Sequence, residues 1–126
     1  GIEMPLSQDN VEGSTSEIES LRTAPPDGPQ LYVSLMRLTA KGLSELAGSP
    51  ARRKVSEERV AALGGRSVAF YATLGPYDFV QIFEMPGNEA MMQYVLAARR
   101  DGFVDPLIMP AFDPPTFGAI VERALG

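Results

Sequence analysis

No cysteine, histidine or tryptophan occurs anywhere in the 126 residues. Missing thiols exclude disulfides, thiolate nucleophiles and cysteine-ligated clusters. Missing imidazoles exclude zinc fingers, His-ligated haem and every Ser-His-Asp or Cys-His nucleophile system. A general base therefore has to be Asp, Glu, Lys, Tyr or an activated water. No loop of the Asp-x-Asn-x-Asp-Gly type offers a cradle for a hard cation, and no metal or cofactor is expected. Long apolar runs are also missing. The longest span a few residues, such as 60–63, against the ~20 that a bilayer requires. No charged stretch followed by an apolar one opens the chain, so no secretory signal is read and a cytoplasmic location without membrane attachment is expected.

What is present is an ordinary globular composition, 44% hydrophobic and 21% charged, in a chain long enough for one domain and one core. The net charge of −5 is unevenly placed. Residues 1–30 hold Glu3, Asp9, Glu12, Glu17, Glu19 and Asp27 against Arg22 alone, and the remaining acids and bases cancel. A neutral domain is a poor partner for a phosphate backbone, so no nucleic-acid binding is expected. The basic cluster Arg52-Arg53-Lys54, followed by Glu57-Glu58, reads as a solvated helix face with i,i+4 pairs.

Two units follow from the composition. Residues 1–30, rich in Ser, Pro, Gly and acids and closing on Ala24-Pro25-Pro26-Asp27-Gly28-Pro29, form an arm outside the domain. Its apolar side chains Ile2, Met4, Leu6, Val11, Ile18 and Leu21 are expected to pack on a neighbouring subunit. Residues 31–126 form the domain. Alternation predicts a strand over 31–39, with apolar residues on both faces. A broken helix follows, a short piece over 41–47 and a longer one over 50–63, with Ser49 as N-cap, Pro50 at the first helical position and Gly64-Gly65 as the stop. Strands are predicted over 66–74 and 77–85, joined by a turn at Gly75-Pro76. A helix capped by Asn88 then runs to about residue 100, with Met92, Val95, Leu96 and Arg99 as its stripe. Residues 103–112 are extended, and Pro106 and Pro110 confine that strand to a sheet edge. Asp113-Pro114 opens a last helix with Phe117, Ile120, Val121, Ala124 and Leu125 at i, i+3, i+4, i+7, i+8.

The order β-α-β-β-α-β plus a C-terminal helix is the ferredoxin-like arrangement, an α+β fold with a four-stranded antiparallel sheet. Its two helices cover one sheet face and leave the other bare. The bare face is expected to carry Tyr32, Met36 and Leu38 with Tyr71 or Phe70, Phe79 or Val80, and Ile108. An apolar face of that size calls for a partner, and two sheets face to face give a homodimer or a multiple of dimers.

Thr39-x-x-Gly42, Ser49-Pro50-x-x-Arg53, Leu63-Gly64-Gly65, Phe70-Tyr71-x-Thr73-Leu74-Gly75, Tyr77-Asp78, Glu84-x-Pro86 and Ala111-Phe112 stand in the order and spacing of the GYD-domain family. The chain resembles that family from about residue 31 to 117. The resemblance implies a relative of the dimeric α+β barrels, a group with small oxygenases, isomerases and the ligand-binding domains of leucine-responsive regulators.

Candidate functional residues gather on the strands. Gly75-Pro76-Tyr77-Asp78 is read either as a hairpin, with Asp78 accepting backbone N–H bonds, or as the mouth of a barrel. In the second case Asp78 and Tyr77 are the candidate catalytic pair. The candidate ligand-contacting set is Tyr32, Arg37, Tyr71, Tyr77, Asp78 and Glu84, with Arg37 placed to balance Glu84 or hold an anion. Two functions remain open. One is a small-molecule-binding or accessory and assembly module. The other is a cofactor-independent enzyme, oxygenase- or isomerase-like, acting on a small organic substrate within the barrel.

Overall fold

The computed structural model describes residues 29–126; the acidic arm expected over 1–30 and its docking on a neighbour lie, but for the last two residues, outside the described residues. Strand β1 (Gln30–Leu38) leads into a short helix α1 (Ala40–Ser44), one 3-10 turn (Leu46–Gly48) and helix α2 (Ser49–Ala62). Strands β2 (Arg66–Ala72) and β3 (Phe79–Met85) follow, then helix α3 (Asn88–Asp101), strand β4 (Val104–Ala111) and helix α4 (Pro114–Leu125). The four strands form one antiparallel sheet in the order β2-β3-β1-β4. This is the ferredoxin-like α+β arrangement. β4 is an edge strand, as its prolines require: it keeps its full register with β1 from Leu31↔Ala111 to Leu38↔Val104, so the missing N–H groups of Pro106 and Pro110 fall on the outer side.

Several boundaries are set differently from the sequence signals. Ser49 already has helical dihedrals, φ −58° and ψ −45°, so Gly48 holds the N-cap position of α2 and no side chain caps it. Gly87 likewise precedes α3, and Asn88 is its first residue rather than its cap. The Asn88 side chain instead accepts a hydrogen bond from the Tyr32 hydroxyl. Asp113 does cap α4, its carboxylate accepting from the Thr116 N–H at 2.9 Å. Hydrogen bonding from Thr116 holds that carboxyl below the usual range. The folded pKa is depressed, so the cap is complete above the ordinary carboxylate range and is lost as pH falls through the lowered value.

The register decides which sheet face is covered, and it reverses the expectation for β1. Tyr32, Ser34 and Met36 are buried under the helices, while Leu31, Val33 and Leu35 lie on the open face. Their ladder partners go with them: Phe79, Gln81 and Phe83 on β3 and Pro106 and Ile108 on β4 are beneath the helices. Tyr71 and Val80, from the expected set, are on the open face. A bulge between Ser67 and Ala69 breaks the alternation of β2 at Val68. In α3 the buried stripe is Met91, Tyr94 and Val95, whereas Met92 and Leu96 are exposed.

The core fills one end of the layer between sheet and helices. Tyr32, Val60, Phe83, Met85, Met91, Tyr94 and Val95 pack there, with Leu63, Ala90, Ala98 and Ile108 against them. Tyr94 tilts its ring on Phe83 with centroids 5.0 Å apart, the offset geometry aromatic pairs prefer. None of α4 is buried: Phe117 and Leu125 of its apolar stripe stand exposed. Among the described residues no helix is long and apolar enough to cross a membrane.

Candidate functional site

The other end of the same layer is a cavity of about 310 Å³. Its floor is the covered sheet face, with Met36, Phe70, Phe79 and Gln81. Its roof is α2, which turns Ser49, Arg52, Ser56 and Arg59 inward at spacings of three, four and three. A helix built to close an apolar core would carry Leu or Val along that stripe. The polar stripe is why the space stays open, and only Val60 of α2 is buried. Tyr94 and Asp101 from α3, with Phe103 and Val104 behind it, close the end. The Tyr94 hydroxyl shares a 2.5 Å hydrogen bond with Ser56. Burial raises its pKa, and the Ser56 bond opposes the shift, so the phenol is a neutral polar group across the ordinary pH range.

The charges in this wall are unevenly matched. Arg59 pairs with Asp101 at 3.1 Å, and Arg53 pairs with Glu57 at 2.5 Å, one turn along α2. Arg52 has no carboxylate partner among the described residues, and its guanidinium stacks 4.0 Å from the Phe103 ring centroid.

The turn at 73–78 lies at one end of the sheet and is held by bonds within itself and by bonds to the end of β1. Gly75 adopts φ +105° with open space around it, the left-handed region in which a side chain is strained. Thr73 donates its N–H to the Asp78 carbonyl at 2.8 Å and its hydroxyl to the Tyr77 carbonyl at 2.7 Å. Where β3 leaves β1, Asp78 replaces the missing rung. Its N–H donates to the Met36 carbonyl at 2.8 Å, and its carboxylate accepts from the Leu38 N–H at 2.7 Å. Arg37 donates to the Pro76 carbonyl at 2.9 Å and lies 4.9 Å over the Tyr77 ring.

The family model for the GYD domain matches residues 32–121. The chain belongs to the GYD domain family. This GYD domain is also 33% identical, over 81 residues, to a protein of Thermus thermophilus named "Glutamine synthetase and cystathionine beta-lyase binding protein". The match covers 64% of this chain and 85% of that relative. No solved structure matches the chain.

The GYD domain distributes the six sequence candidates over three places, and none lines the cavity. Arg37, Tyr77 and Asp78 meet at the turn. Tyr32 is in the core, bonded to Asn88, with its pKa raised by burial. Tyr71 stands 63% exposed on the open sheet face, and Glu84 accepts from Arg66 rather than Arg37, at 2.8 Å. The cavity residues Arg52, Ser56 and Arg59 escape sequence reasoning because the Arg52-Arg53-Lys54 cluster reads wholly as a solvated face. Arg53 does make the i,i+4 pair with Glu57. The usable signal is the polar i, i+4, i+7 stripe of 52, 56 and 59, continuing into Leu63, which puts polar groups on the helix face that must meet the sheet.

The geometry of Asp78 yields a direct test. Asp78→Ala leaves the Leu38 N–H without its acceptor and is expected to cost about 1–3 kcal/mol of stability. Asp78→Asn keeps an acceptor oxygen and is expected to cost less. Urea unfolding of both variants measures the difference, and an Asp78→Ala protein as stable as the wild type would remove the structural role.

Proposed function

We propose that this GYD-domain protein is a non-catalytic accessory module that pairs through its open sheet face and docks on a partner protein. The open face carries the argument. Two adjacent rows across the sheet are apolar: Ala69, Ile82, Val33 and Met109 in one, Tyr71, Val80, Leu35 and Leu107 in the next. Charged residues bound these rows on both sides, Arg66 with Glu84 at one end and Arg37 opposite Asp105 at the other. An apolar centre with a polar rim is the anatomy of an interface. Leu107 and Met109 remain 49% and 41% exposed in the single chain, a contiguous patch that water penalises. A second copy related by a twofold axis lays the same rows against themselves.

Two features weigh against catalysis. The carboxylate of Asp78 is occupied by backbone, and the only carboxylate in the cavity wall among the described residues, Asp101, is held by Arg59. The naming of the Thermus relative supports a protein partner, with glutamine synthetase and cystathionine β-lyase as the first enzymes to try.

Sedimentation equilibrium at micromolar concentration is expected to return a dimer or a multiple of one. Val33→Asp, which sets a charge in the middle of the apolar rows, is expected to return a monomer with unchanged far-UV circular dichroism. A monomeric wild type would sink the pairing. For docking, biolayer interferometry against both enzymes from the same source organism is expected to show saturable binding to at least one. Silence against both at micromolar concentration would remove the accessory reading.

A further inference from the structure

The cavity between sheet and helices is placed behind the open sheet face, and the proposed subunit pairing does not use it. Its volume of about 310 Å³ falls at the lower end of the range for small-molecule sites, roughly 300–1,000 Å³. Its walls divide by chemistry. Met36, Phe70, Phe79, Phe103 and Val104 make an apolar and largely aromatic surface. Against it stand three guanidinium groups from one helix, Arg52, Arg53 and Arg59.

The charge count singles out one of the three. Asp101 engages Arg59, and Glu57 engages Arg53. Among the described residues Arg52 has no carboxylate partner and lies on the Phe103 ring, whose centroid Lys41 Nζ also approaches to 4.3 Å. Such a contact attracts the cation by ~0.5–2 kcal/mol but leaves its charge uncancelled and the prongs of its fork free to donate. Packing of the guanidinium against Gly48, where even a Cβ would lie 2.8 Å from an Arg52 Nη, restricts where that fork can point. Gln81, on the floor and only 2% exposed, is already oriented by donating to the Ser67 hydroxyl at 2.9 Å. A buried amide in the wall, a preset cation and an aromatic lining together make a site for a molecule with a single negative group and an apolar body.

We propose that this cavity binds a small organic acid, its carboxylate received by the Arg52 guanidinium and its apolar body laid against Phe70, Phe79 and Phe103. The planar fork matches a carboxylate with two parallel hydrogen bonds. Arg52, the one arginine of the wall without a carboxylate partner among the described residues, suits a single carboxylate, and the apolar floor selects a ring or short chain over a sugar. This inference goes beyond the accessory role and does not depend on it.

Isothermal titration with 2-naphthoate and with 2-naphthamide, its neutral counterpart of the same shape, tests the site. One naphthoate per chain is expected, with the amide at least about tenfold weaker, as loss of a charge-assisted pair implies. Arg52→Met is expected to weaken naphthoate by about tenfold or more and to leave the amide unchanged. Arg52→Lys, which keeps the charge and loses the fork, is expected to fall between, and it serves as the variant of record if Arg52→Met does not fold. Equal affinity for acid and amide, naphthoate binding indifferent to both substitutions, or no saturable naphthoate binding up to millimolar concentration would each overturn the proposal. Failed docking on a partner enzyme would leave these titrations unchanged, and failed titrations would leave pairing and docking untouched.

Discussion

Replacing Phe83 with alanine is expected to lower the unfolding free energy by about 3–5 kcal/mol, a large part of the ~5–15 kcal/mol that holds a typical domain together. Phe83 is fully buried in the middle of β3. Its neighbours cannot close the gap easily. β3 is an interior strand, fixed by β2 on one side and β1 on the other, so the backbone cannot sink toward the helices. Tyr94, whose ring rests on Phe83, is itself tethered through its hydroxyl to Ser56 and cannot drop into the hole without breaking that bond. The void would also lie next to the existing cavity, since Tyr94 belongs both to the core and to the cavity wall. The variant is therefore expected to lose stability and to loosen the site behind it. Thermal unfolding should show a midpoint about 12–40 °C lower, from a shift of ~4–8 °C per kcal/mol for a domain of this size. A loss below about 1 kcal/mol would mean that the core repacks freely and that the tethering of Tyr94 is unimportant.

The element order was legible because its signals are local. Gly64-Gly65 after α2, Pro86-Gly87 before α3 and Asp113-Pro114 before α4 each act within a few residues, and the structure places an element boundary at each. The GYD family and the ferredoxin-like arrangement were legible for the same reason. Facing was not. β1 is apolar on both sides, so periodicity shows two stripes without saying which one the helices cover. The polar residue that would ordinarily mark the solvent side misleads here. Ser34 is buried beneath the helices with its hydroxyl unpartnered among the described residues, opposite Gln81, another buried polar side chain. In α3, Met92 and Leu96 compete with Met91 and Val95 because that helix is apolar on more than one side. The cavity was hidden for a deeper reason. It depends on which face of α2 meets which half of the sheet, a contact between residues such as Arg52 and Phe103 that lie far apart in sequence.

Gly42→Ala is the second substitution with a large expected effect, and it explains a motif that sequence comparison can only count. Alanine is the better helix former by about 1 kcal/mol, so propensity alone predicts stabilisation of α1. Space predicts the reverse. A Cβ at Gly42 would lie 2.1 Å from the Phe103 carbonyl oxygen and 2.9 Å from Leu38 Cδ2. The leucine can turn aside. The carbonyl cannot, because it is main chain and already accepts from the Thr39 N–H at 3.1 Å, while the Thr39 hydroxyl donates to the Gly102 carbonyl at 2.6 Å. Thr39 also caps α1 by accepting from the Gly42 N–H at 3.1 Å. Thr39-x-x-Gly42 is thus one device: the threonine ties the start of α1 to the 101–103 segment, and the missing side chain of Gly42 lets the two backbones touch. Relieving the clash means pulling that segment away and losing these bonds. Overpacking costs about 1–3 kcal/mol, and each lost hydrogen bond adds about 0.5–1.5 kcal/mol, which together exceed the propensity gain. Urea unfolding of Gly42→Ala is expected to show a net loss of at least ~2 kcal/mol. Because Phe103 rides on the displaced segment and forms one wall of the cavity, hydrogen exchange should show the 101–104 amides opening more readily in the variant. A Gly42→Ala protein as stable as the wild type, with those amides equally protected, would mean that α1 floats free of the segment and that the motif marks something other than this contact.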